Sequence, residues 1–248
     1  MDYRTTLLKQ ISNAQIPGKR TYYEHLYGII SSKLQANGKV LEIGSGAGIS
    51  RFFLKGIEIT RTDFLDWSDD NVRGNVDAQN LPFANDEFSC VFGVDMLHHV
   101  PEPIKVVSEA IRVVSNTGTV VFVEPYVSGF SYLFYKLFHP EDTTLRLKVV
   151  KGVPIKFDSE SSGDQIIAQR IFLNLNNLAS LRQACNKNFE LEILYLSPFS
   201  FFATGGLNSR FGLSPAGIRV LIRAESLLGT RVLKTLSARA IYILKVTN

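Results

Sequence analysis

A short apolar run that ends in alternating glycines constrains this chain more than any other feature. Lys39-Val-Leu-Glu-Ile43 has the aliphatic content of a buried strand, and it runs straight into Gly44-Ser45-Gly46-Ala47-Gly48. Glycines at this spacing let the backbone turn tightly and pass close to a ligand, where any Cβ would obstruct it. The spacing G-x-G-x-G places Ile49 where a dinucleotide fingerprint needs its last glycine. No Lys-Ser/Thr pair follows, which excludes a phosphate-cradling P-loop. The ligand must therefore suit a glycine loop yet need little help with a pyrophosphate. A nucleoside carrying an amino acid meets that description, because its ammonium needs acceptors and its ribose hydroxyls need a carboxylate.

The rest of the first half alternates short apolar runs with helical patterns, the signature of βαβ units and a parallel sheet. Residues 49–55 read as the start of a helix, 56–61 as a second strand ending at Thr62-Asp63, and 73–76 as a short third strand. Residues 88–94 give a fourth strand. Ile104, Val107, Ile111 and Val114 have helical spacing, and Asn116-Thr117-Gly118 reads as the turn into a fifth strand over 119–123. Residues 126–163 are rich in aromatics without a clean period, as expected of an insertion or lid. Residues 165–186 are helical, 190–196 and 239–246 are strands, and 214–237 carry an amphipathic helical pattern.

Composition narrows the function classes. At 248 residues, with 45% hydrophobic content, the chain can bury a substantial core and is not a disordered segment. Cys90 and Cys185 build no disulfide framework and have no metal-ligand spacing around them, so no metal is expected and the cytoplasm is the expected compartment. No signal peptide or spanning segment is read. The net charge of +4 is unevenly spread: residues 61–102 carry nine acids against two bases, and residues 210–248 carry seven bases and one acid. The basic end suits an anionic acceptor or peripheral contact with a membrane surface through 214–237, against the plainer reading of a solvated helix face. No nucleic-acid motif is present.

Asp63 stands at the end of the second strand, where such folds place a ribose-binding acid, with Asp66, Asp69 and Asp70 as nearby alternatives. Beyond it come VDAQNLPF, FSCVFGVDMLHHV and the glycine turn before VVFVEP. With VLEIGSGAG and the acid of TRTDF, these stand in order over residues 38–125. Together they resemble the class I S-adenosylmethionine-dependent methyltransferases of the small-molecule, type 11 kind. The resemblance implies a doubly wound, Rossmann-like α/β fold. Its sheet would be mostly parallel and seven-stranded, with helices on both faces and an inserted lid region. Residues 1–248 would form one domain: a helical lid over 1–37, a cofactor-binding half over 38–125, and insertions or cap over 126–164 and 197–237.

The resemblance also implies S-adenosylmethionine as cofactor and S-adenosylhomocysteine as product. Glu42, Gly44, Ser45, Gly46 and Gly48 would line the methionine and ribose, and Asp63 would hold the ribose hydroxyls. Asp77 and Ala78 would meet the adenine, and Asp95 and Met96 would close over the cofactor. Two departures stand out. Arg61-Thr62 precede Asp63 in place of small apolar residues, and the stretch from Asp63 to Asn75 is short for a full helix.

The acceptor is expected to be a small molecule methylated at oxygen, lipidic or anionic, as in lipid or polysaccharide biosynthesis. The alternative is a non-catalytic, cofactor-binding partner subunit with the same fold. A hydroxyl nucleophile calls for a general base. The candidates are His98 and His99 after the fourth strand, and His139, which lies beside Glu141 and Asp142 in the lid segment. Glu124 and Tyr126 are expected to border the acceptor pocket. Tyr22, Tyr23 and His25 are read as a packing face or a lid.

Overall fold

Strands buried on both faces need continuous apolar runs, and such runs set the middle of this sheet. The computed structural model describes residues 3–34, 38–67, 71–138, 142–157 and 163–247. Two helices, α1 (Tyr3–Ala14) and α2 (Pro17–Ser31), precede β1 (Val40–Ile43) and β2 (Ile59–Thr62). Then come β3 (Phe88–Val94), α3 (Pro103–Val113), β4 (Val114–Pro125) and α4 (Gly129–Phe138). The second half holds α5 (Ile167–Phe172), α6 (Leu175–Cys185), β5 (Asn188–Leu196), α7 (Ser200–Ala203), α8 (Pro215–Ser226), α9 (Thr230–Leu236) and β6 (Arg239–Thr247).

The strands order as β2-β1-β3-β4-β6-β5, with the first four parallel and β6 antiparallel to both its neighbours. Helices cover both faces. One face packs α3, α5 and α6 against Leu41, Val91, Val120 and Tyr242. The other packs α2 and Ile218 of α8 against Val40, Phe92, Val121 and Ile243. In α3 the spacing Ile104, Val107, Ile111 turns one stripe into the core. Each such fully buried aliphatic side chain stabilises the fold by about 1.5–3 kcal/mol.

The sheet has six strands among the described residues rather than the expected seven. The run at 73–76 contributes one isolated bridge, Arg73 to Thr62. Gly74 there lies so close to residues 65 and 66 that a Cβ would come within 2.6 Å of the Asp66 Cα. Asn75 then takes a positive φ of 57°, which ends the extended run. The expected helix at 49–55 is a single 3-10 turn over Ile49–Phe52. Only six residues separate Ile49 from Gly56, whose φ is +75°, too few for a stable α-helix.

The turn at 116–118 is absorbed into β4 as a bulge. Phe88 pairs with Val114 but Cys90 with Thr119, so residues 115–118 stand opposite Ser89 alone. The helical stretches at 165–186 and 214–237 each divide in two. Asn174 caps α6 through its side chain, and Gly229 precedes α9.

Candidate functional site

The parallel strands all end at one edge, where open α/β sheets bind ligands. β1 delivers the glycine loop there. Gly44, Gly46 and Gly48 all have positive φ, a conformation that glycine adopts without steric cost. At Gly44 a Cβ would come within 2.7 Å of the Met96 Cβ, so the missing side chain is what lets the turn after β3 close on the loop. The loop is tied to the end of β2: Ser45 N–H donates to the Thr62 carbonyl at 2.9 Å, and Gly46 N–H to Asp63 Oδ2 at 2.7 Å.

Glu42 lies beneath the loop, only 2% exposed. The Ser50 hydroxyl donates to its carboxylate, and Arg61 Nε stands 3.3 Å from Oε2. Burial pushes the Glu42 carboxyl up to about 7, against the opposing pull of Ser50 and Arg61.

Asp63 is the acid bonded to the loop. Its Oδ1 also accepts Leu65 N–H at 3.0 Å and Trp67 Nε1–H at 3.1 Å. A carboxylate offers about four acceptor positions, so these three donors leave one. Asp66 lies against Gly74, and Asp69 and Asp70 fall outside the described residues. α1 covers this corner. The Arg4 guanidinium sits 5.5 Å from the Trp67 ring centre, and the Leu7 side chain faces Gly46. Asp77 holds its own turn, accepting from Gln79 N–H at 2.8 Å and from the Gln79 side-chain amide. Ala78 packs against the core beside it.

The turn after β3 rests on a residue whose importance the sequence underrated. Glu124, fully buried near the end of β4, accepts Met96 N–H at 3.0 Å and Leu97 N–H at 2.8 Å through Oε1. Its Oε2 lies 2.6 Å from His98 Nδ1. His98 is therefore buried and engaged, while His99 is half-buried with its ring 4.2 Å from that of His98. His139 and Glu141 fall outside the described residues, as does any site built on them. Among the described residues no group of three or more His, Cys, Asp or Glu is placed to hold a metal ion.

Asp95 carries a positive φ of 53° and meets a residue that the sequence reading passed over. Arg239, buried at the start of β6, donates from Nη2 to Asp95 Oδ1 at 2.6 Å. Its guanidinium lies 5.0 Å from the Phe201 ring centre. A lone arginine opening an otherwise apolar strand was the available signal.

Around Arg239 stand Tyr22, hydrogen-bonded to Ser197 at 3.1 Å, and Tyr135 of α4. Tyr22 and Tyr23 are core residues that pack on Phe201 and Phe53. Tyr126 meets Tyr195 edge-on at 4.9 Å. Farther out, Phe130 and Phe134 pack against Phe199 and Phe202. A cavity of about 550 Å³ opens elsewhere, between residues 166 and 176, away from the glycine loop.

Residues 41–122 match the family described as a methyltransferase domain. The methyltransferase GfsG of Streptomyces halstedii is 27% identical over 114 residues, covering 39% of this chain and 41% of that protein. The match thus spans less than half of that relative. A SAM dependent methyltransferase from Archaeoglobus fulgidus superimposes with a TM-score of 0.55 at 14% identity, over 98% of this chain and 100% of that one. The phosphoethanolamine N-methyltransferase 2 of Haemonchus contortus, solved with S-adenosyl-L-methionine, gives 0.51 at 14% identity, over 99% of this chain and 57% of that one.

Proposed function

We propose that this chain, a class I S-adenosylmethionine-dependent methyltransferase by its fold and by the domain at residues 41–122, methylates an oxygen of a small apolar or lipid-linked acceptor. One observation carries the cofactor reading. The glycine loop, the acid after β2 and the turn after β3 touch one another at the carboxyl edge of the sheet, through Gly46–Asp63 and Gly44–Met96. The residues fit the group: glycines admit close approach, and Asp63 keeps one acceptor position for a ribose hydroxyl.

In this reading Glu42, Gly44, Ser45, Gly46 and Gly48 line the methionine and ribose, Asp77 and Ala78 receive the adenine, and Asp95 and Met96 close the site. Bound S-adenosylmethionine supplies an electrophilic methyl on a sulfonium. The chain's own task is to align the nucleophile and to exclude water. Glu124 holds the 96–99 turn in place, and His98, buried on Glu124, is a positioning residue. His99 is the candidate base for a hydroxyl.

In this reading the segments 126–164 and 197–237 serve as the cap, and the cluster of Phe130, Phe134, Phe199 and Phe202 favours an apolar acceptor. The cap's bases also suit an anionic one. The burial of His98 favours, as a second reading, a cofactor-binding subunit without chemistry of its own.

Titration calorimetry with S-adenosylmethionine, S-adenosylhomocysteine and NADH tests the cofactor. Binding of the first two and not the third is expected, and Asp63→Ala should weaken it roughly 10- to 100-fold, from about 1.5–3 kcal/mol per hydrogen bond to a charged group. No binding by the wild type, or tighter binding of NADH, would overturn the proposal. Release of S-adenosylhomocysteine with a hydroxylated acceptor separates enzyme from subunit.

A further inference from the structure

We infer that the face built from α4, the end of α8 and α9 docks on an anionic lipid bilayer. The inference stands on this face alone and does not depend on the methyltransferase reading. α4 turns Phe130 and Phe134 inward onto Phe199 and Phe202, and it turns Leu133 and Leu137 outward, 57% and 63% exposed. Phe199 is itself 39% exposed, and its N–H donates to Glu225 Oε1 at 2.7 Å, which sets it beside the end of α8. Leu227 follows there at 85% exposure, and α9, packed against α4, exposes Val232. Monomeric proteins seldom leave a cluster of large apolar side chains on one surface without a use for it.

Charge selects the occupant. Across 126–138 and 197–238 the sequence carries Lys136, Arg210, Arg219, Arg223, Arg231 and Lys234 against a single acid. That acid, Glu225, is buried and committed to Phe199 and Ser200. Arg223, Arg231 and Lys234 are exposed, and none has an acid partner among the described residues. Apolar side chains among unpaired bases match the boundary between acyl chains and anionic headgroups. A second copy of the chain would set the same bases against each other across a twofold axis. No helix among the described residues is long and apolar enough to cross a membrane, so the contact is peripheral. The aromatic cluster behind this face leads through Phe201 to Arg239 at the sheet edge. An acceptor held in the bilayer would therefore meet the chain on its cap side.

Sedimentation with vesicles of phosphatidylcholine, alone or mixed with phosphatidylglycerol, tests this. Binding to the anionic vesicles is expected, weakening as salt rises. Arg223→Gln, Arg231→Gln and Lys234→Gln together should weaken it about a hundredfold, from roughly fivefold per base. Leu133→Ser with Leu137→Ser should weaken it while keeping the salt dependence. Absence of binding to anionic vesicles, or binding undiminished by both sets, would overturn the inference. So would a stable dimer abolished by Leu133→Ser and Leu137→Ser. Unchanged thermal melting shows that the variants fold. Calorimetry with S-adenosylmethionine on the same preparations reports separately on the proposed function.

Discussion

Glu124 and Glu225 do the same local work in two different settings. Each is a buried carboxylate that accepts two successive backbone N–H groups and one side-chain group, and so fixes a short turn. Glu124 takes Met96, Leu97 and His98, and Glu225 takes Phe199, Ser200 and the Ser200 hydroxyl. The turn on Glu124 is enclosed, with Met96, Leu97 and His98 all buried against the sheet. The turn on Glu225 opens outward, next to exposed Phe199 and Leu227. One carboxylate completes a surface of the molecule's own. The other presents a surface that its own chain leaves uncovered.

Glu124→Ala should have the largest effect. It strands two buried N–H groups and the His98 ring in a site water cannot refill, at a cost of about 3–5 kcal/mol. Urea denaturation checks this, and a loss no greater than that of Glu225→Ala would erase the distinction drawn above.

The next effect is a pH dependence seated beneath the glycine loop. The folded Glu42 carboxyl sits at about 7 against an ordinary 4.5, because burial disfavours its charge. Below 4.5 it is protonated in both states and its stabilising contribution is complete. As pH rises towards 7, the unfolded chain ionises first, and the contribution is lost, up to about 3 kcal/mol. Glu42→Gln should remove this slope, and its stability relative to wild type should climb across the window. Parallel urea midpoints for the two proteins would sink the assignment.

Glu225→Ala should cost least, about 2 kcal/mol, because solvent near Phe199 can partly satisfy the freed groups.

The two regions also differ in how far the sequence exposed them. The apolar runs at 39–43, 88–94 and 239–246 and the stripe of α3 were legible because burial on two faces, or on one helical face, writes a period into the residues. The crossovers were not. The turn at 49–52 and the single bridge at Arg73 follow from Gly56, Gly74 and Asn75, whose conformations depend on what packs beside them. In the candidate site, the loop glycines and Asp63 carry local signatures. Glu124 carries none, and Arg239 only the oddity of a base opening an apolar strand, since their roles arise from partners 26–28 and 144 residues away. The segment 126–163 has no clean period to read, because aromatic side chains there, such as Phe130 and Phe134, pack on Phe199 and Phe202 rather than on the sheet.

Trp67 gives the chain a property of another kind. It is the only tryptophan, and its indole N–H is bonded to Asp63 under the Arg4 guanidinium. Near-ultraviolet emission from this protein therefore comes chiefly from one ring, seated on the acid that ties the glycine loop. Rearrangement of that carboxylate, or lifting of the first helix, alters the polarity and quenching around a single emitter. The molecule carries its own optical gauge of that corner, with no dye attached.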